Sequence, residues 1–300
     1  MANRINSVFT MEDVPVAFAA GDSGLILRSA DGGMNWSRVA APTAGNLYSI
    51  HFPGQARVGF ACGDSGTVLR TENEGESWHR LAVPTDVDLR AIRFPLGPTV
   101  GFVAGDRGVI LRTADRGETW THLTTATEQK IMDVNFPTDE TVGYAVGLHG
   151  TVLKTTTGGE MWFSQTGNIT NLLPGTHVAA VHFPSDDQVG FAVTGNGCIL
   201  FTSSGGEEWR PMRCEFPLSP LFSLDARHDT MEVFVVGASG TLVRTSDGGR
   251  SWERLFPGTH VNLYSVRMFA DGVAGIIGGD ERTLLHSSNS GQTWTPAAII

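Results

Sequence analysis

The seven tryptophans of this chain stand at Trp36, Trp78, Trp120, Trp162, Trp209, Trp252 and Trp294, at intervals of 42, 42, 42, 47, 43 and 42 residues. Every tryptophan therefore marks one copy of a single repeat, and a period of about 40–45 residues is that of a solenoid unit or a propeller blade. Within one copy, "LYSIHFP" (47–53), "VGFACG" (58–63), "GTVLRT" (66–71) and "SWHRL" (77–81) are short apolar runs parted by glycine and turn residues. Such runs read as four strands of an up-and-down meander. The order recurs in "LRAIRFP…VGFVAG…GVILRT…TWTHL" and in "LYSVRMF…AGIIGG…TLLHS…TWTPA".

One four-stranded sheet cannot bury both of its faces, whereas seven arranged radially cover one another. The spacing predicts an all-β chain: a seven-bladed β-propeller with four antiparallel strands per blade, one domain over 1–300, with an irregular blade near 178–214. "RINSVF" (4–9) supplies the innermost strand of the first blade and "TWTPAAII" ends the last. On this reading the termini share no blade, and the ring is expected to close by face packing alone.

Composition agrees with a turn-rich β protein. Glycine makes up 37 of 300 residues and charged residues only 17%, where about 25% is usual. No run approaches the ~20 apolar residues of a membrane-spanning helix. The opening residues lack a basic stretch followed by an apolar one, so the expected compartment is the cytoplasm, or the periplasm or a lumen if a leader has been trimmed. Cys62, Cys198 and Cys214 have neither the number nor the spacing of a disulfide framework or zinc site and read as small buried hydrophobes. A formal charge of −10 argues against non-specific affinity for nucleic acid or anionic membranes.

The stretch "TADRGETW" (113–120) looks at first like a small catalytic or metal-binding loop. Its copies are "SADGGMNW", "TENEGESW", "TTTGGEMW", "TSSGGEEW", "TSDGGRSW" and "SSNSGQTW". The hydroxyl residue, the glycine and the tryptophan never vary. The acid does: Asp31, Asp115 and Asp247 alternate with Asn73, Asn289, Thr157 and Ser204. A catalytic carboxylate could not become Asn, Thr or Ser without those copies losing the role. A turn-former could, because all four side chains hydrogen-bond their own backbone a few residues on. One acid per loop is also too few for calcium. The stretch is read as a structural corner.

This pattern resembles the Asp-box, the bacterial neuraminidase repeat. The longer unit G-D-x-G-x-[IV]-L-R-T-x-D-x-G-x-x-W is most similar to that of the photosystem II assembly and stability factor family. The resemblance covers essentially the whole chain and implies a single seven-bladed propeller that binds a protein partner without catalysis. In that family an arginine-rich patch is implicated in partner binding.

Sialidase chemistry is not matched. It requires an arginine triad, a nucleophilic Tyr and an assisting acid, whereas Tyr48, Tyr144 and Tyr264 all fall at repeat strand positions that are apolar in other copies. Xyloglucanase-type enzymes work between two propellers. Asp133 and Asp225, on expected innermost strands, could form a glycosidase pair but read more simply as polar residues of a wet channel. With no phosphate loop, His-rich spacing or Ser/His/Asp set, no enzyme activity, metal or cofactor is expected.

Two sets remain as candidates. Arg28, Arg70, Arg112, Lys154, Arg244 and His286 share one position, at the end of the third strand before the box, with Phe201 as the exception. They are a candidate partner-binding ring, of which Arg28, Arg70, Arg112 and Arg244 match the family's arginine patch. The plainer reading pairs them with Asp22, Asp64, Asp106 and Asp280, six residues earlier. The second set, His51, Arg93, Asn135, His182, Asp225 and Arg267, with Phe9 in the first copy, should line the central channel as a solvated funnel or a peptide or small-ligand mouth. Blade five lacks the box acid, the basic residue and the turn glycine (Thr194). Extra residues "LLPGT" (172–176) precede it, and "PMRCEFPLSPLF" (211–222) follows its last strand. The expected function is a protein- or peptide-binding platform or assembly factor. The alternatives are a carbohydrate-binding or glycoside-hydrolase-like propeller and a structural subunit of a larger complex.

Overall fold

Leu47–His51, Gly59–Gly63, Thr67–Thr71 and His79–Leu81 pair in sequence order as one antiparallel sheet, as their alternation requires. In a computed structural model describing residues 3–11, 13–54, 57–166, 169, 173–227 and 231–300, every repeat does the same. The result is a seven-bladed β-propeller. Innermost strands Ile5–Thr10, Leu47–His51, Leu89–Arg93, Ile131–Asn135, Val178–His182, Leu221–Ala226 and Leu263–Met268 open blades 1 to 7. Blade 5 keeps its four strands despite its irregular sequence. Of the five residues before it, Leu172 lies outside the described residues, and Leu173 packs on the core shared by blades 4 and 5.

The core lies between blades. At four successive interfaces an aromatic ring of one blade's second strand stacks on the Phe that follows the next blade's innermost strand. These pairs are Phe18–Phe52, Phe60–Phe94, Phe102–Phe136 and Tyr144–Phe183, with centroids 3.7–4.0 Å apart. The box tryptophan meets the same Phe edge-on, as Trp78 does Phe52. Each aromatic pair adds about 0.5–1.5 kcal/mol beyond the area it buries. Gly59 has no side chain because a Cβ there would come within 2.3 Å of the Phe52 ring.

Ring closure differs from the expectation of face packing alone. Ala298–Ile299 adds a fifth, parallel strand to the outer edge of blade 1, with Ala298 N donating to Met34 O (2.9 Å) and Ile300 N to Trp36 O (2.8 Å). An unpaired strand edge is a row of open donors and acceptors, and these last residues satisfy part of it. Paired on both sides, the outer strand of blade 1 is five residues long, against two or three in the other blades. Of the cysteines only Cys62 is fully buried, while Cys198 and Cys214 are half-buried.

Strand order gives the ring two distinct faces. The loop from first to second strand and the Asp-box turn share one edge of each sheet, here called the box face. The Gly-Asp-x-Gly turns and the connections between blades share the other, the turn face. In all seven blades a backbone N–H of the box turn donates to the first loop, from Gly32 to Pro15 O through Ser290 to Val273 O, at 2.8–3.1 Å.

Candidate functional site

In the corner built by "TADRGETW", Thr113 Oγ1 accepts from Gly117 N at 2.9 Å and donates to Asp115 Oδ1 at 2.8 Å. Asp115 Oδ1 in turn accepts from Thr119 N at 2.9 Å. Both backbone bonds recur in every blade, the first at 2.9–3.1 Å. The second is accepted equally by Asp31, Asn73, Thr157, Ser204, Asp247 and Asn289, at 2.9–3.0 Å. Only an oxygen is required at that position, which explains why the acid varies. Gly117 takes φ 84, a conformation that glycine adopts without steric cost. Trp120 Nε1 donates to Gly117 O at 3.0 Å.

Three of the basic set reach across to the corner of the next blade. Arg28 Nε donates to Glu74 O (3.1 Å), Arg70 Nη1 to Arg116 O (2.9 Å) and Lys154 Nζ to Gly205 O (2.8 Å). Arg70 is also paired with Glu72 and Glu118 and is 8% exposed. Arg244 pairs with Glu232 and Glu253. Arg112 and His286 are half-buried at the same station. The acids six residues earlier are not their partners. Asp22, Asp64, Asp106 and Asp280 sit at the other end of the third strand, on the turn face. There Asp64 accepts from Tyr48 Oη (2.6 Å) and Asp106 from Arg90 Nε (3.1 Å).

The structure places the channel set around common cavities, and two of its members, Asn135 and Asp225, stitch one blade to the next. An innermost strand has one edge without a neighbouring strand, and its buried N–H groups need acceptors. Asp225 Oδ2 accepts from Met268 N of the next blade (2.8 Å), and Asn135 Oδ1 from Phe183 N (3.2 Å). Two residues up the strand, Ser265 Oγ accepts from Val8 N (3.0 Å) and Asp133 Oδ2 from Val181 N (3.2 Å). Arg267 Nη1 donates to Asp225 Oδ1 at 2.7 Å, and Arg93 lies 3.8 Å from Asp133. Burial raises the Asp133 carboxyl above its ordinary range, against the pull of Arg93. His51 shares a hydrogen bond with Phe94 O and meets Phe9 edge-on. Burial, reinforced by Arg93 and Arg267, pushes its imidazole down to about 3, and burial takes His182 to about 4. Arg93, His182 and Arg267 border cavities on both faces and so form the waist of the channel.

Sequence reasoning missed the residues of the turn-face mouth. A register shift near the start of all seven innermost strands is a bulge, which re-aims the side chain it carries. It puts Tyr48, Arg90, Met132, Ala179, Phe222 and Tyr264 around a cavity of about 360 Å³. Arg90 lies 4.0 Å over the Tyr48 ring, and Phe222 stacks on Tyr264. Tyr48 and Tyr264 are therefore mouth residues, and of the three tyrosines only Tyr144 is buried as core. The bulge leaves no mark in residue type, so no sequence signal pointed to it. Among the described residues no cluster of three His, Cys, Asp or Glu could hold a metal ion, and no helix is long and apolar enough to cross a membrane.

The profile of the family described as photosynthesis system II assembly factor YCF48 matches residues 71–209, 168–255 and 219–299. This chain belongs to that family. No curated protein sequence matches it. Its fold is shared by a structure of YCF48 bound to a D1 peptide, at 20% identity and TM-score 0.77 over 96% of this chain and 94% of that one. YCF48 from Cyanidioschyzon merolae matches at 18% identity and TM-score 0.76, over 95% of each chain. The GH74 xyloglucanase from Xanthomonas campestris matches at 14% and 0.78, over 97% of this chain and 54% of that one. At these identities the structural likenesses show the fold alone, so the functional reading of this YCF48-family chain must come from its own faces.

Proposed function

We propose that this chain is a non-catalytic platform that binds a protein or peptide partner on a propeller face. The reading is supported by its family and by the D1 peptide bound to a relative of the same fold. The observation that carries it is the engagement of the channel carboxylates. Glycoside hydrolysis needs one carboxylic acid free to give a proton and another free to attack or activate water. Asp225 is held by Arg267 and Met268 N, and Asp133 by the backbone of Val134 and Val181. Both brace the inner strands. Of the basic set, Arg28, Arg70 and Lys154 are assigned a bracing role between blades and Arg244 one within blade 6, and partner contact is assigned to the open mouths of the channel.

The test is a cross-linked capture from cell extract with the intact protein, beside a panel of chromogenic glycosides. A specific cross-linked partner and no turnover are expected. Hydrolysis that disappears in Asp225→Asn, with no partner retained, would reverse the assignment in favour of the carbohydrate reading.

A further inference from the structure

The box face is not seven-fold. In blades 2 to 5 the innermost strand is followed by Phe-Pro: Phe52-Pro53, Phe94-Pro95, Phe136-Pro137 and Phe183-Pro184. Blades 6, 7 and 1 put Ala226, Met268 and Thr10 where the Phe would stand. A trough runs along this side. It consists of two cavities of about 530 and 510 Å³ that meet at Met11, Phe269 and Ala270. The first opens at the channel mouth, and the second runs outward between the first loops of blades 7 and 1.

Those loops also turn apolar side chains to water. Val14 is 45% exposed, Val273 47% and Met231, on the adjacent loop of blade 6, 64%. Isolated exposed apolar residues are ordinary, but here Val14 lines the outer cavity and Val273 and Met231 stand on the neighbouring first loops. Apolar exposure gathered beside a trough marks an interaction surface. Across the mouth, the same loops of blades 4 and 5 carry Asp139, Glu140, Asp186 and Asp187, and their box turns carry Glu160 and Glu207. No lysine or arginine lies within either loop or either turn, and the cation bonded to them, Lys154, is tied to Gly205 O of the blade 5 turn. The outer half of the trough is lined by Met11, Val14, Pro15, Phe269 and Ala270 with Asp13 and Asp271 beside them, so this face is mixed apolar and acidic on one side and acidic on the other.

We infer that the box face docks a cationic, amphipathic segment of a partner protein. Its apolar side chains fill the trough of blades 7 and 1, and its Lys or Arg residues lie over the acids of blades 4 and 5. Charge complementarity selects this occupant. A second copy would bring the same acidic arc against itself, in a chain of formal charge −10, and an anionic bilayer would be repelled by it. The inference rests on the protein-binding reading and adds the face and the partner's chemistry.

The probe is a labelled peptide of about 20 residues patterned with Leu and Lys, long enough to cross the face at about 3.3 Å per residue when extended. A Leu/Glu peptide of the same pattern and vesicles of phosphatidylcholine with and without phosphatidylserine complete the set. Fluorescence anisotropy with the intact protein should show binding of the Leu/Lys peptide that weakens with salt. Val14→Glu with Val273→Glu, and separately Glu140→Lys with Asp187→Lys, should each weaken it about ten-fold or more. Phe256→Glu, on the turn face, should leave it unchanged, and thermal unfolding of each variant checks its fold. Equal binding of the Leu/Glu peptide, preferential vesicle binding, or Leu/Lys binding kept within about two-fold in both double variants overturns the proposal. If those variants still retain the cross-linked partner from extract, the protein-binding reading stands without this face. If neither peptide nor extract partner binds, both fall.

Discussion

At the outer corners seven copies of one turn keep one geometry while a key side chain changes among Asp, Asn, Ser and Thr. In the channel the equivalent position is Phe, His, Arg, Asn or Asp, and the bonds differ: Asp225 to an arginine and a backbone N–H, Asn135 to a backbone N–H, His51 to a carbonyl. Both regions answer the same need, which is to pair backbone groups where a sheet ends. The corner meets it within one blade, so an oxygen at the right place suffices. The channel meets it between blades, where neighbours differ, so each solution is particular. Neither repetition nor singularity therefore marks function here.

The comparison can be broken hardest by truncation. Trp36→Ala empties a fully buried position and should cost about 3–5 kcal/mol in denaturant unfolding. Asp225→Ala should cost a similar amount, because it leaves the Arg267 guanidinium and Met268 N without their partner in a largely buried place. If Asp225→Ala is as mild as a surface change, the stitching account is wrong. Acid provides a gentler probe of the same region. His51 and His182 titrate from an ordinary 6.5 to about 3 and about 4 in the folded chain. The unfolded chain then takes up protons first, so stability should be full above about pH 6.5 and decline as the pH falls toward 4. His51→Phe, which copies Phe9 of blade 1, should flatten that decline. An unchanged slope would place the sensitivity elsewhere.

Much of this was legible in the sequence, and the limits have physical causes. Tryptophan spacing gave blade number and strand order, because a repeat must bury the same ring at each turn. The varying box acid showed that the corner is architecture. The partners of the channel residues could not be read from strand alternation, since they lie on the next blade about 43 residues away, as Asp225 and Met268 do. The Arg28-type set was legible as a shared position, but the bonds of Arg28, Arg70 and Lys154 to the next blade were not, because those acceptors are main-chain oxygens that leave no trace in residue type. The closing strand Ala298–Ile299 is too short to announce itself. The trough was visible only as missing Phe-Pro pairs in blades 6, 7 and 1, a signal whose meaning depends on knowing that those rings stack.

The smallest effects belong to the corner. Thr113→Ala removes the acceptor of Gly117 N, a buried donor, and should cost about 1–3 kcal/mol. Asp115→Asn should leave the unfolding midpoint at pH 7 unchanged, because Asn73 and Asn289 accept the equivalent backbone bond in blades 2 and 7. Its consequence appears only in acid. Hydrogen bonds from the Thr119 side chain and backbone and from Thr113 hold the Asp115 carboxyl at about 2, below its ordinary 3.8. A depressed carboxylate stabilises the fold above its unfolded value, and that contribution is lost as pH falls through the folded one. Asp115→Asn has no such proton to gain, so its stability should fall less steeply than the parent's between about pH 4 and pH 2. Parallel acid limbs would mean that protonating Asp115 costs the fold nothing, and that only the oxygen at this corner matters.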